Sequence, residues 1–173
     1  AHEYDALVSL QTYLTKYNSG NLTVFSNNTS YYKEEKNTEK NTDYILRATP
    51  DGFIKNGAEI IGIVETKCHM NSSYASDDIP TQTWVQCLLQ YYVLKKKYSS
   101  IKHIYLVSWT RNECRVFYLS PTEDYEKKFI DHLTNAIESD KNNLLFNDWG
   151  TCPFKKSNIF PSFFRQRLTT NTS

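Results

Sequence analysis

Two short motifs bring two carboxylates and a lysine close together in the chain. Thr49-Pro50-Asp51-Gly52 is followed by Val64-Glu65-Thr66-Lys67. Carboxylate oxygens are the ligands that a hard cation such as Mg²⁺ (or Mn²⁺) prefers. Such a cation neutralises the charge that develops in phosphodiester hydrolysis and activates water. The motifs therefore favour a metal-dependent hydrolytic site.

The spacing within the second motif supports this interpretation. Glu65 and Lys67 are two residues apart, so on a strand their side chains point to the same face. The Thr66 side chain then points away, but its backbone carbonyl lies between them and is a candidate third metal ligand with Asp51 and Glu65. Lys67 is predicted to lie beside the attacking water. Each motif alone is a common structural feature, since Pro-Asp-Gly is a frequent turn, and only their combination favours catalysis.

A predicted helix adds a third element. Gln82, Gln86 and Gln90 recur every four residues and form a polar stripe. Gln86 adjoins apolar residues and is predicted to point towards the site. Gln90 and Gln82 fit a solvated helix face.

The remaining pattern predicts the elements that position these residues. Apolar residues at helical spacing predict helices over residues 2–17 and 81–98 and from Ser120 onward. Predicted strands are 22–25, 44–48, 53–54, 59–67, 101–109 and 115–119. Residues 26–43 are polar and are interpreted as an exposed loop or flexible insert.

This order of elements predicts an α/β fold with helices around a small mixed sheet. A length of 173 residues suits a single domain. Its core is expected over residues 1–140, with 141–173 as a C-terminal extension. The net charge of +1 means that any nucleic-acid binding needs a local patch, or carboxylates masked by metal.

The cellular location is expected to be intracellular rather than secreted. The chain has no run of about 18 apolar residues, which predicts no membrane span, and no signal-peptide pattern. Because it begins without Met inside a predicted helix, the natural protein is expected to extend upstream. The four cysteines lack C-x-x-C spacing, which disfavours a zinc or iron–sulfur site. Their even number, together with several N-x-[ST] sequons, leaves a secreted, disulfide-bonded protein as the alternative.

Several motifs together resemble the YqaJ-like viral recombinase family of nucleases, which includes lambda exonuclease. The similarity extends from Glu3 to about Ile137. It includes Glu3-Tyr4-Asp5-Ala6 on the first helix, a Gly and short strand at 20–24, and the two motifs at 49–52 and 65–68. His69 stands where the family has Pro. On the second long helix Ile79-Pro80 and Gln86 match, whereas Leu88 replaces a second Gln.

This resemblance implies a restriction-endonuclease-like PD-(D/E)xK core, a mixed central sheet flanked by helices. It implies Asp51 and Glu65 as Mg²⁺ ligands, Lys67 as the catalytic lysine, Gln86 as a site-shaping residue and Glu3 as an accessory acid. The implied activity is an exonuclease that processes double-stranded DNA ends for recombination or replication. A single-strand annealing protein and further copies of the chain are the candidate protein partners. The implied location is the cytoplasm or nucleus of a phage or virus host.

Two other functions remain open at this point. A cap-snatching viral RNA endonuclease uses a first-helix His, for which His2 is the candidate, although an exposed residue near the chain start is the simpler interpretation. A non-catalytic nucleic-acid-binding module of the same fold would use Trp84, Trp109 and the lysines at 95–97.

Overall fold

The computed structural model describes residues 2–17, 20–37, 42–138 and 149–164. The elements alternate between helices and groups of strands, in the predicted order. They are α1 (Glu3–Tyr17), β1 (Leu22–Ser26), β2 (Tyr31–Asn37), β3 (Thr42–Ala48), β4 (Gly52–Asn56), β5 (Glu59–Cys68), α2 (Thr81–Lys97), β6 (His103–Trp109), β7 (Glu113–Leu119), α3 (Glu123–Glu138), β8 (Lys155–Lys156) and β9 (Phe160–Pro161).

The main sheet is mixed, as predicted. Its strand order is β1-β4-β5-β6-β7-β8, with β9 also pairing with β7. The central pair β5 and β6 is parallel, and the other pairs are antiparallel. Because parallel neighbours need a crossover connection, α2 links the end of β5 to the start of β6. The crossover thereby places α2 over one face of the sheet.

Helices flank both faces of this sheet. Residues of α1, such as Leu10 and Leu14, pack with Val64 and Val107 on one face. Residues of α2 and α3 pack with Ile63 and the rest of a larger apolar cluster on the other. Alternate residues of β5 thus enter opposite cores. The prediction of a mixed central sheet flanked by helices is confirmed.

The prediction for residues 26–43 is wrong over much of its length. Residues 31–37 form β2, which pairs with β3 as a separate two-stranded antiparallel sheet. The inward-facing side chains Tyr31, Lys33 and Glu35 alternate with more exposed ones. Two of the three are charged and lie against the Tyr92 hydroxyl of α2. Paired charges on the inner face explain why the strand resembled a polar loop.

Part of the unassigned C-terminal segment completes the sheet. Strands β8 and β9 both pair with β7, and the Phe163 backbone N–H donates to the Ser9 hydroxyl of α1. Residues 141–148 and 165–173 of the predicted extension lie outside the described residues. None of the helices described in the four segments has the length and hydrophobicity needed to cross a membrane. All four cysteines are free thiols.

Candidate active site

The Asp51 carboxylate is held against the backbone of β5. Pairing between β4 and β5 reaches Gly52 opposite Val64, and the Asp51 N–H donates to the Val64 carbonyl at 2.9 Å. Beyond that point β5 continues without β4. There Asp51 Oδ2 accepts hydrogen bonds from the Thr66 N–H at 2.7 Å and from Thr66 Oγ1 at 3.0 Å. The side chain of Asp51 thus takes the hydrogen bond that a neighbouring strand would accept from Thr66, the residue next to Glu65.

The turn before β4 has its own constraints. A Cβ at Gly52 would lie 2.6 Å from the Phe25 carbonyl oxygen, a backbone atom that has no room to move aside. Glycine is therefore required by the close approach of β1. Asn27 stabilises this turn through two hydrogen bonds. Its backbone N–H donates to the Asp51 carbonyl and its Nδ2 donates to the Pro50 carbonyl, each at 2.8 Å. The Pro-Asp-Gly turn is thereby fixed in position.

Glu65 and Lys67 lie on the face of β5 that packs against α2. The Lys67 ammonium is 3.9 Å from a Glu65 carboxylate oxygen. The Glu65 side chain is 16% exposed, whereas that of Lys67 is 42% exposed. The carboxylate therefore sits inside the site and the ammonium at its opening.

Thr66 occupies the position between them. Its side chain is buried and bonded to Asp51, on the opposite face from Glu65. Within a strand the N–H and the carbonyl of one residue point to the same edge. Because the Thr66 N–H points to Asp51, its carbonyl also points towards the Asp51 side. Asp51, Glu65 and this carbonyl are the three oxygen donors predicted from the sequence.

The pKa of the Glu65 carboxyl group is raised. Burial and the negative charge of Asp51 raise the pKa of Glu65 to about 7, against the opposing effects of a hydrogen bond from Gln90 and the charge of Lys67. Two neighbouring carboxylates in a partly buried position favour keeping one of them protonated. A bound cation would remove that conflict.

The donor set fits a divalent cation. Carboxylate and carbonyl oxygens are the donors that Mg²⁺ takes, and it usually keeps several waters in its remaining positions. Gln90 Oε1 is also buried without a hydrogen-bond partner among the described residues. The same segments hold no cluster of three or more His, Cys, Asp or Glu side chains placed to bind a metal. A cation would therefore depend on the two carboxylates and the carbonyl.

Gln90 of α2, rather than the predicted Gln86, contacts the site. Gln90 Nε2 donates to Glu65 Oε2 at 2.8 Å, whereas Gln86 is exposed. The interpretation of Gln90 as a solvated residue is wrong. An i, i+4 repeat drifts around a helix that has 3.6 residues per turn, so the three glutamines do not share one direction.

Glu3 and His2 lie on the α1 side of the sheet. Glu3 is exposed and lines a cleft of about 290 Å³ that Asp51 also lines. The His2 ring stacks on Trp109 with centroids 5.2 Å apart and bonds to the Asp5 carboxylate at 2.9 Å. Glu3 is thus near Asp51, while His2 is engaged in contacts with α1 and β6.

A larger cleft, of about 360 Å³, lies elsewhere. It is lined by residues of α2, α3 and β2, including Lys33, Tyr91 and Glu126. Three of its charged groups are paired within the protein, since Lys95 contacts Glu126 at 2.6 Å and Lys33 contacts Glu35. The carboxylates of β5 do not line it, so the size of a cleft does not identify the chemistry.

The burial of Glu65 and its proximity to Asp51 predict a pH-dependent stability in metal-free buffer. Because the pKa of Glu65 is raised on folding, the native state binds more protons between pH 4.5 and about 7. Stability from this group is present below pH 4.5 and is lost as the pH rises towards 7. Relative to Glu65→Gln, the wild type should lose roughly 1–3 kcal/mol of unfolding free energy over this range.

Urea unfolding in EDTA at a series of pH values measures this difference. Glu59→Gln, an exposed substitution at the start of the same strand, controls for the loss of one charge. A constant difference between wild type and Glu65→Gln at all pH values would show that folding does not raise the pKa of Glu65.

The comparisons with known proteins add little to this geometry. Neither the known protein families nor the curated protein sequences include one that matches this chain significantly. Among solved structures, the chain is similar to the protein described as "Crystal structure of SSO0001", with a TM-score of 0.47 and 12% sequence identity. The similarity covers 80% of this chain and 59% of that one. At this level it carries no functional information.

Proposed function

We propose that this chain is a metal-dependent deoxyribonuclease of the PD-(D/E)xK type, built on a restriction-endonuclease-like core. One observation carries the proposal. The Asp51 carboxylate is tied to the Thr66 backbone at 2.7 Å, and Glu65 and Lys67 flank that residue with their charged groups 3.9 Å apart. Two acids and an ammonium at the end of a central strand form the minimal set for phosphodiester hydrolysis with one cation.

Each residue has a defined part in this scheme. When bound, Mg²⁺ (or Mn²⁺) supplies Lewis-acid chemistry and lowers the pKa of water. Asp51, Glu65 and the Thr66 carbonyl would hold it, and Gln90 orients the Glu65 carboxylate by its hydrogen bond. Lys67, at the solvent-accessible side, holds the attacking water and favours its deprotonated form.

The proposed substrate is the end of double-stranded DNA. This choice rests on the sequence motifs shared with the YqaJ-like recombinase nucleases, together with the position of Glu3 on the wall of the cleft beside Asp51. Glu3 acts in this scheme as an accessory acid. The products would be handed to a single-strand annealing protein.

The contacts of the alternative residues favour DNA cleavage over the other two functions. The first-helix histidine of a cap-snatching endonuclease would be His2, whose ring is occupied by Trp109 and Asp5. A binding module would need exposed aromatic platforms for bases. Trp84 and Trp109 are only 1% and 0% exposed and belong to the two cores.

Digestion of labelled nucleic acids with and without Mg²⁺ tests the proposal. End-labelled linear duplex DNA should be degraded only with the metal, whereas a covalently closed circle should resist and capped RNA should persist. Cutting of the circle would identify an endonuclease. RNA cleavage alone, or binding of DNA without cleavage at any Mg²⁺ or Mn²⁺ concentration, would contradict the proposal.

The glutamines of α2 provide a matched pair. Gln90→Leu removes the hydrogen bond to Glu65 and should lower the cleavage rate about ten- to hundredfold, the usual cost of losing a residue that orients a metal ligand. Gln86→Leu, one turn earlier on an exposed position, should remain within about twofold of wild type. Single-turnover rates measure both. Equal losses in the two variants would contradict the assignment of Gln90.

A further inference from the structure

A row of three residues crosses the sheet from the candidate site. Lys67 of β5 lies opposite Ser108 of β6, and Ser108 lies opposite Arg115 of β7. Residues opposite one another on neighbouring strands share a face, so Arg115 lies on the same face as Glu65 and Lys67. With strands spaced about 4.8 Å apart, its backbone is roughly 10 Å from that of Lys67.

The Arg115 side chain has an asymmetric environment. It is only 11% exposed, and its Nη1 donates to Asp77 Oδ1 at 2.5 Å, while Asp77 is 77% exposed. Its Nε is buried and has no hydrogen-bond partner in the described part of the chain. The guanidinium thus has a carboxylate partner on the solvent side, while its buried Nε donor is left without one.

The loop that carries Asp77 does not depend on this ion pair. The Ser76 N–H donates to Ser108 Oγ at 3.0 Å, and the Ala75 N–H donates to the Glu113 carboxylate at 3.0 Å. On the other side, Lys156 Nζ donates to the Asp77 carbonyl at 3.3 Å. The Asp77 carboxylate can therefore leave Arg115 without releasing the loop.

We propose that Arg115 binds a backbone phosphate of the DNA strand near the one that is cleaved, and that Asp77 occupies this place in the free protein. The planar guanidinium fits carboxylate and phosphate oxygens alike. Ion pairs with an exposed partner contribute little to stability. Replacing the Asp77 carboxylate by a phosphate on Arg115 therefore costs little folding free energy. This inference rests on the proposed function, because the phosphate is that of the nuclease substrate.

The spacing and charge of the row agree with such a subsite. Phosphates along one strand of a duplex rise about 3.4 Å per nucleotide, so a span of roughly 10 Å places Arg115 within about three nucleotides of Lys67. Lys156, beside Asp77, adds a further positive charge at this edge. With Asp77 turned away, Arg115 and Lys156 supply the local positive charge that DNA binding requires of a chain with a net charge of only +1.

Fluorescence anisotropy with a labelled linear DNA duplex in EDTA tests the subsite at several salt concentrations. Arg115→Gln should weaken binding about tenfold and reduce the slope of log K against log salt by about one. Asp77→Asn should instead tighten binding severalfold, because Arg115 is released. The double variant should behave like Arg115→Gln. Lys102→Gln, which removes an exposed charge just before β6 begins at the opposite end of the sheet, should change little.

A purely structural ion pair predicts a different result. Both single variants would then lower the melting temperature and change DNA affinity in the same direction, and this result would overturn the proposal. If Arg115→Gln folds poorly, Asp77→Asn still tests the proposal, because Asp77 is exposed and its substitution should not disturb the fold. The binding assay does not require cleavage. A protein that binds through Arg115 but never cuts would contradict the nuclease proposal alone, whereas cutting with unaltered affinity in Arg115→Gln would contradict only the phosphate contact.

Discussion

Replacing Lys67 by alanine is expected to lower the rate of DNA cleavage by about 10²- to 10⁴-fold, the usual contribution of a group that assists proton transfer and stabilises charge. The Lys67 side chain is 42% exposed and lies beside Glu65 rather than in a core, so its removal leaves the fold intact. Single-turnover cleavage of an end-labelled duplex measures the rate, and anisotropy measures binding.

Lys102→Ala provides the control for this prediction, because it removes an exposed ammonium at the other end of the sheet. DNA affinity should be nearly the same in wild type and both variants, apart from a small electrostatic decrease. Cleavage at the wild-type rate by Lys67→Ala would show that Lys67 takes no part in the reaction.

The second large effect concerns the carboxylates. Asp51→Asn and Glu65→Gln should each weaken Mn²⁺ binding at least ten- to hundredfold, since loss of a mere supporting residue already costs that much at metal sites. Isothermal titration calorimetry measures the affinity. Burial and the charge of Asp51 together raise the pKa of Glu65. Each variant removes one charge of this pair, so above pH 7 the metal-free proteins should be no less stable than wild type.

The exposed substitution Glu59→Gln, at the start of β5, should leave Mn²⁺ affinity unchanged. Weakened binding in only one of the two site variants would indicate that a single carboxylate holds the ion. Unchanged affinity in both would show that the metal binds elsewhere.

The strands and helices around the site were predictable from local pattern. The apolar run of β5 and the glycine turn at Gly57 specify a hairpin with β4, and the alternation within β5 puts Glu65 and Lys67 on one face. Asp51 could be expected near them because a hairpin brings its two strands side by side. Its hydrogen bonds to Thr66 follow from the point at which β4 pairing ends, which no local pattern encodes.

Other features depend on packing between distant segments. Whether Gln86 or Gln90 meets Glu65 is decided by where α2 crosses the sheet, and the stripe of glutamines alone does not contain that information. Strand β2 was missed because two of its inward side chains, Lys33 and Glu35, are charged and neutralise each other. Arg115 and Asp77 are separated by 38 residues, so their contact has no local signal.

The proposed chemistry depends on Asp51 and Glu65 sharing one divalent cation. Anomalous diffraction from crystals grown with Mn²⁺ tests this most directly. We predict one strong peak at roughly 2 Å from an oxygen of each carboxylate and from the Thr66 carbonyl. A well-ordered site without a peak, or a peak that contacts neither carboxylate, would contradict it.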